Sequence, residues 1–170
     1  MSKQCAQVAV LMGSASDWGI VKETVDTLKK FGVTVEAKVI SAHRTPDLAS
    51  EFSKNARSCG YKVIIAAAGG AAHLAGVIAA HTTLPVIGIP IYTSSLNGLD
   101  SLLSTVQMPG GIPVGTMAVG KSGAVNAAIF AVQMLSLSDK SLEDKLNQYK
   151  EDLKKSVIEG DAKIQSDLSE

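Results

Sequence analysis

His43 and Arg44 stand side by side just past an apolar run that ends at Ile40. An imidazole can give and take a proton near neutral pH. A guanidinium offers a planar fork that grips a phosphate through two hydrogen bonds. Arg44 and Arg57 are the only arginines in a chain with fourteen lysines, so the fork is a choice and not background charge. Thr45-Pro46 stiffens the segment behind them. A second candidate is Gly13-Ser14-Ala15-Ser16-Asp17. A glycine turn and two hydroxyls at the start of a helix suit a phosphate, which the unpaired N–H groups and the helix dipole attract. Ser14-x-x-Asp17 also fits a capping box, and capping and ligand binding are compatible. The third candidate is Ala68-Gly69-Gly70-Ala71-Ala72-His73. Its paired glycines allow a ligand to approach the backbone closely, although close packing of a helix on a sheet accounts for them equally well. His73 reads as a core histidine with a satisfied ring nitrogen, and His81 as structural.

Other chemistries lack their residues. There is no Walker A, no GxGxxG and no GxSxG. Three scattered histidines and two distant cysteines, Cys5 and Cys59, make no metal cluster and no disulfide framework. Free thiols of this kind fit a reducing cytosol. The start, Met1 to Cys5, lacks the basic region and long apolar run of a signal peptide. Sixteen basic residues balance sixteen acidic ones, and only 4% of residues are aromatic. Nothing there favours nucleic acid or an anionic membrane surface.

The elements that must position these loops alternate. Val8–Met12 is an apolar run covered on both faces of a sheet. A helical stripe follows over Asp17–Phe31, with Val21, Val25, Leu28 and Phe31 in register. Val33–Ile40 is the second strand. A helix capped by Thr45, with Pro46 in its first turn, runs toward Gly60. Lys62–Ala68 is the third strand, followed by a small-residue helix to about His81. Val86–Ile91 and Val114–Val119 are the fourth and fifth strands, with a short helix over Asp100–Val106 between them. Gly123–Leu137 is apolar nearly all round and is expected to be buried. This order predicts a parallel sheet with right-handed crossovers. In such a sheet the three candidate loops leave from one edge, the carboxyl ends of the strands, where ligands bind.

Charge is distributed unevenly. Residues 1–138 carry 10 basic and 7 acidic residues, and residues 139–170 carry 6 and 9. The expected organisation is a single α/β domain over 1–138 and a charged helical extension over 139–170. In that extension Leu142, Leu146, Tyr149 and Leu153 form a narrow stripe. The stripe fits a helix folded on its own domain or an arm across a neighbouring subunit. Between Val63 and Gly120 the one charge is Asp100. The 29 uncharged residues from Val63 to Ile91 would be long enough for a membrane span. Their glycines, prolines and two β-branched runs point instead to a chain buried in its own fold and then against partner subunits.

The motifs Met12-Gly13-Ser14-Ala15-Ser16-Asp17, Ser41-Ala42-His43-Arg44-Thr45-Pro46 and Gly69-Gly70-Ala71-Ala72-His73-Leu74 are followed by Asn97 to Leu102 and Gln107 to Pro113. Together they resemble the bacterial N5-carboxyaminoimidazole ribonucleotide mutases of purine biosynthesis, over about residues 6–138. One departure is Ala75, where His-Leu-Pro-Gly is expected. The resemblance implies a three-layer, flavodoxin-like fold with a central parallel sheet, assembled as a cytoplasmic homo-octamer. It implies no metal, cofactor or ATP, no nucleic acid and no membrane. It also implies an isomerase that moves a carboxylate from the exocyclic nitrogen of an aminoimidazole ribonucleotide to C4, releasing CO2 and re-adding it. It assigns acid–base catalysis to His43. It assigns substrate binding to Gly13, Ser14, Ser16 and Asp17, to Ser41, Ala42 and Arg44, and to Gly69, Gly70, Ala72 and Leu74. Ala71, Ala72 and Leu74 have the apolar character that a water-excluding CO2 pocket requires. Two rivals are a sister branch that carboxylates aminoimidazole ribonucleotide with CO2 directly, and a non-enzymatic flavodoxin-like mononucleotide-binding module. A flavin carrier would have mainly Trp18 and Tyr92 to stack against the ring.

Overall fold

A computed structural model describes residues 6–169. Cys5, and with it the stretch expected to lack a signal sequence, lies outside the described residues. The chain runs β1 (Val8–Met12), a 3-10 turn (Ala15–Asp17), α1 (Trp18–Lys30), β2 (Val35–Val39), α2 (Pro46–Asn55), β3 (Val63–Gly69) and α3 (Leu74–Ala80). It continues through β4 (Val86–Ile91), α4 (Leu99–Val106), β5 (Gly115–Thr116), α5 (Lys121–Ser136) and α6 (Lys140–Asp167). All strand pairs are parallel, in the order β2-β1-β3-β4-β5. This is a flavodoxin-like α/β fold. Its strand order reverses between β1 and β3, and a crevice opens at such a point.

Strand register follows burial. Val8 to Met12 pair with Val35 to Val39 on one side and with Val63 to Ala67 on the other. Every residue of β1 is buried, as a central parallel strand requires. Ala9, Leu11, Ile64 and Ala66 pack with Ala49 of α2 and with Leu74, Ala75 and Ile78 of α3. α4 shares that face, since a Cβ at Gly88 would sit 2.4 Å from Thr105 Cγ2 and 3.4 Å from Ala75 Cβ. α1 and α5 share the other face, where the buried Thr24 hydroxyl donates to the Ala124 carbonyl at 2.8 Å.

Three elements differ from expectation. β5 pairs only through Gly115 and Thr116, against an expected Val114–Val119. The Gly88 and Pro90 carbonyls face β5, accepting from Met117 and Gly120. Pro90 has no N–H to donate on that side, so the regular ladder stops. α5 begins at Lys121 and buries one face, through Ala124, Ala127, Ala128, Ala131, Val132 and Leu135. Val125, Ile129, Phe130 and Met134 are only half-buried, so the helix is not covered all round. α6 is longer than its apolar stripe suggested, with Leu142 buried, Leu146 and Tyr149 half-buried and Leu153 exposed.

The uncharged run from Val63 to Ile91 is divided among β3, α3 and β4. Among the described residues no helix is long and apolar enough to cross a membrane. Beyond that run, Leu99, Leu103 and Val106 form an open apolar row on α4, exposed by 53%, 46% and 48%. The chain clusters into two compact units, dividing between Ala131 and Val132.

Candidate active site

The β1 loop is built by its hydroxyls. Gly13 stays in the ladder through its N–H to the Ala67 carbonyl at 3.0 Å. Ser14 Oγ then accepts from the Ser16 N–H at 3.3 Å and meets the Ser16 hydroxyl at 2.8 Å. Only one half of the expected capping box forms, the Asp17 carboxyl accepting from the Ser14 backbone N–H. The tight 3-10 turn brings Ser16, not Asp17, to the Ser14 side chain, and Asp17 caps α1 without a side-chain bond to its backbone. Burial pushes the Asp17 carboxyl above its ordinary value, against hydrogen bonds from the Ser16 side chain and the Ser14 backbone. A carboxyl held up in the folded state binds its proton more tightly there than in the unfolded chain. Folding is therefore disfavoured as pH rises through the range between those two values. Asp17→Asn is expected to raise the melting temperature at pH 7 and to lose that advantage near pH 3.5. Thermal scans at the two pH values check this.

The β2 loop is closed by Thr45, whose hydroxyl accepts from the Ser41 N–H at 3.0 Å and donates to the Ser41 carbonyl at 2.9 Å. Thr45 occupies the expected cap position of α2, but its side chain fastens this loop instead. Ser41 Oγ accepts from the Arg44 backbone N–H at 3.2 Å and from Arg44 Nε at 3.4 Å. Arg44 Nη2 donates to the Gly13 carbonyl at 3.0 Å. The guanidinium thus ties the β1 and β2 loops together and leaves the rest of its fork for a ligand.

The β3 loop turns at Gly70, whose φ of 68° lies in the left-handed region that favours glycine. It carries His73 to the mouth of the crevice. His43 Nε2 and His73 Nδ1 are 2.8 Å apart, and the rings meet edge to face with centroids 5.0 Å apart. One ring donates and the other accepts, so a proton lies between the two imidazoles. His73 is therefore not the core histidine expected. It is exposed, and it is the main functional candidate that the sequence reading set aside. The available signal was its place in the loop after β3, ahead of the apolar register of α3. His81 accounts for itself locally, with Nδ1 2.9 Å from the Val77 carbonyl.

These loops enclose a cavity of about 440 Å³, a size suited to a small ligand. Gly13, Ser14, Ser16 and Asp17 line one side, and Ser41, Ala42, His43 and Arg44 a second. Ala68, Gly69, Ala71, His73 and Leu74 line the third. Of the expected binding residues, Gly70 and Ala72 are not in the lining, and Ala72 is buried. Their N–H groups point to α4, donating to Ser101 Oγ at 2.9 Å and Ser104 Oγ at 3.1 Å. Trp18 and Tyr92, the aromatics a flavin would stack on, do not line the cavity. Among the described residues no group of three His, Cys, Asp or Glu side chains is placed to hold a metal ion. The cavity therefore has a cationic fork with hydroxyls at one end, an apolar wall of Ala42, Ala68, Ala71 and Leu74, and a histidine pair.

Comparison with known proteins places this chain in a family. A protein of Bacillus subtilis named N5-carboxyaminoimidazole ribonucleotide mutase is 55% identical over 152 residues, 89% of this chain and 94% of that protein. A protein of the same name from Escherichia coli K12 is 49% identical over 154 residues, 91% of each chain. The crystal structure of Treponema denticola PurE superposes with a TM-score of 0.83 at 30% identity, over 92% of this chain and 96% of that one. The profile of the AIR carboxylase family matches residues 7–156, and the chain belongs to that family.

Proposed function

We propose that this protein is an N5-carboxyaminoimidazole ribonucleotide mutase, an isomerase of purine biosynthesis. The reading is supported by relatives of that name at about half identity over nearly the whole chain. The observation that carries the chemistry is the His43–His73 contact, set between an anion-binding end and an apolar wall. In the reaction the exocyclic nitrogen gains a proton and the N–C bond to the carboxylate breaks, releasing CO2. The CO2 carbon then bonds to C4 of the ring, and C4 loses its proton. One proton is delivered and one removed, so a single imidazole that ends each cycle as it began can serve both steps. His43 is assigned that role, with His73 as its hydrogen-bonding partner. Arg44, Ser14 and Ser16 receive the phosphate. Ser41 and Gly13 hold Arg44, and Asp17 faces the substrate from the N-cap of α1. Ala42, Ala68, Ala71 and Leu74 hold CO2 away from water, which keeps it available to C4.

The test is direct. Given the N-carboxylated ribonucleotide alone, without ATP or added bicarbonate, the protein forms the C-carboxylated isomer. A protein that instead needs aminoimidazole ribonucleotide and CO2 belongs to the sister branch. That branch is the less favoured reading, because the relatives at about half identity bear the mutase name.

A cytoplasmic homo-octamer belongs to the same reading, as does a neighbour covered by the Leu142–Leu153 stripe of α6. The open row Leu99, Leu103 and Val106 and the half-buried face of α5 support an apolar contact between copies. Light scattering is expected to report about eight times 17.6 kDa, unchanged by moderate salt because the contact is apolar. Truncation after Asp139 is expected to weaken the assembly. A fully active monomer at micromolar concentration would refute this assignment.

A further inference from the structure

α4 lies outside the cavity lining, yet it controls the backbone of the loop that carries His73. The Ser101 side chain is fully buried. Its Oγ donates to the Ile91 carbonyl at 2.7 Å and accepts from the Gly70 N–H at 2.9 Å. Ser104, one turn on, accepts from the Ala72 N–H at 3.1 Å. Its hydroxyl oxygen also lies 3.0 Å from the Gly70 carbonyl and 2.5 Å from the Asp100 carbonyl. The two serines therefore meet the β3 loop at three backbone atoms, on both sides of the left-handed turn at Gly70. The Ala72 N–H also reaches the Gly70 carbonyl at 2.8 Å, and the His73 N–H reaches the Ala71 carbonyl at 2.8 Å. The segment that Ser101 and Ser104 hold thus runs straight into His73.

α4 itself is fixed at its start. Asp100, the only formal charge between Val63 and Gly120, lies in the first turn of α4. It accepts from the Thr93 hydroxyl with both carboxylate oxygens, at 2.7 and 3.0 Å. A carboxylate is favoured there by the helix dipole. Thr93 also closes on the loop, since its Cγ2 would lie 3.4 Å from a Cβ at Gly69. The connection runs from Thr93 and Asp100 to Ser101 and Ser104, then through Gly70 and Ala72 to His73, and ends at His43.

We infer that Ser101 and Ser104 are positioning residues for the histidine pair: they set the 69–73 backbone so that His73 Nδ1 meets His43 Nε2. Neither serine lines the cavity, so neither touches substrate. A displacement of about 1 Å at a reacting group is enough to cost about 10²-fold in rate. Loss of the Ser101 hydroxyl leaves the Gly70 N–H without that partner. Loss of the Ser104 hydroxyl removes the tie from α4 to the Ala72 N–H and the Gly70 carbonyl, leaving the Ala72 N–H only its contact within the loop. Either change frees the loop to move. The phosphate end, built on the β1 and β2 loops, makes none of these contacts.

This inference rests on the mutase reading for its kinetic arm only. Ser101→Ala, Ser104→Ala and Ser104→Thr are made in the full-length protein. Amide hydrogen exchange is followed by mass spectrometry on peptides covering residues 69–74, with the β1 and α1 peptides as internal controls. Steady-state kinetics uses the N-carboxylated ribonucleotide. Both alanine variants are expected to exchange at least ~10-fold faster at 69–74 with the controls unchanged. Their kcat is expected to fall ~10- to 100-fold while KM stays within about twofold. Ser104→Thr keeps the hydroxyl and is expected to restore most of both. A general structural defect would speed exchange in the controls as well, or would lower the active fraction without rescue by threonine, and either result overturns the inference. Alanine variants with unchanged exchange at 69–74 also overturn it, whatever reaction the protein catalyses. Faster exchange with normal kcat in an active mutase overturns the positioning role and leaves the mutase reading intact. A wild-type protein without mutase activity defeats the mutase reading, while the exchange result still decides whether the serines hold the loop.

Discussion

His43→Asn is expected to leave a folded, assembled protein whose turnover is at least ~10²-fold lower, the scale of lost general acid–base catalysis. Asparagine keeps a short polar group beside His73 but cannot carry a proton through a cycle. His43 is exposed and loses one hydrogen bond, to His73, so its replacement should cost no more than about 1.5 kcal/mol of stability. Chemistry and folding therefore separate cleanly at this position. Circular dichroism and light scattering establish that the variant is intact, and isomerisation of the N-carboxylated ribonucleotide gives the rate. An intact variant with near-normal turnover would move the proton-carrying role away from His43.

Gly123→Ala is expected to damage the fold itself. A Cβ there would lie 1.7 Å from the Ala118 carbonyl oxygen and 2.7 Å from its carbon. Both are backbone atoms, so no rotamer change relieves the overlap, and α5 must shift. Overpacking that side chains can absorb costs about 1–3 kcal/mol, so this change belongs at the top of that range or beyond. For a chain of this size about 3 kcal/mol lowers Tm by roughly 6–12 °C. α5 backs α1 through the Thr24 hydroxyl on the Ala124 carbonyl and the Lys121–Glu23 ion pair at 2.9 Å. α1 in turn begins at the Ser14–Asp17 loop, so activity should decline along with stability. A variant that melts within 2 °C of the parent would mean that α5 enters without this close approach. The apolar run from Gly123 to Leu137 implies a helix that starts at Gly123. In the structure α5 begins two residues earlier, and Gly123 marks a crossing of backbones rather than a helix end.

Strand identity was legible because it depends on local runs. Val8–Met12 and Val86–Ile91 occupy the expected residues, since an apolar run flanked by glycine or proline has few other ways to be buried. The assignment of three loops to one sheet edge was also legible. Parallel strands with right-handed crossovers leave no other place for the residues that follow each strand. His43, Arg44 and the Ser14–Asp17 segment could thus be placed together without coordinates.

The partners of those residues could not. His73 looks like a core histidine while it is read as part of the Ala/Gly-rich run around it, and only the left-handed turn at Gly70 aims it at His43. Thr45 reads as a helix cap but closes on Ser41, because the loop brings the Ser41 backbone within reach of its hydroxyl. Ser101 and Ser104 carry no signal beyond an ordinary helix; their reach to Gly70 and Ala72 exists because α4 packs beside β3. The amino-acid sequence by itself determined which side chains leave the sheet at one edge, because strand direction and hydrophobic period are local properties. The tertiary structure decided which of those side chains touch, because a hydrogen bond needs atoms placed to within a few tenths of an ångström, and His43 and His73 that supply one here are thirty positions apart in the chain.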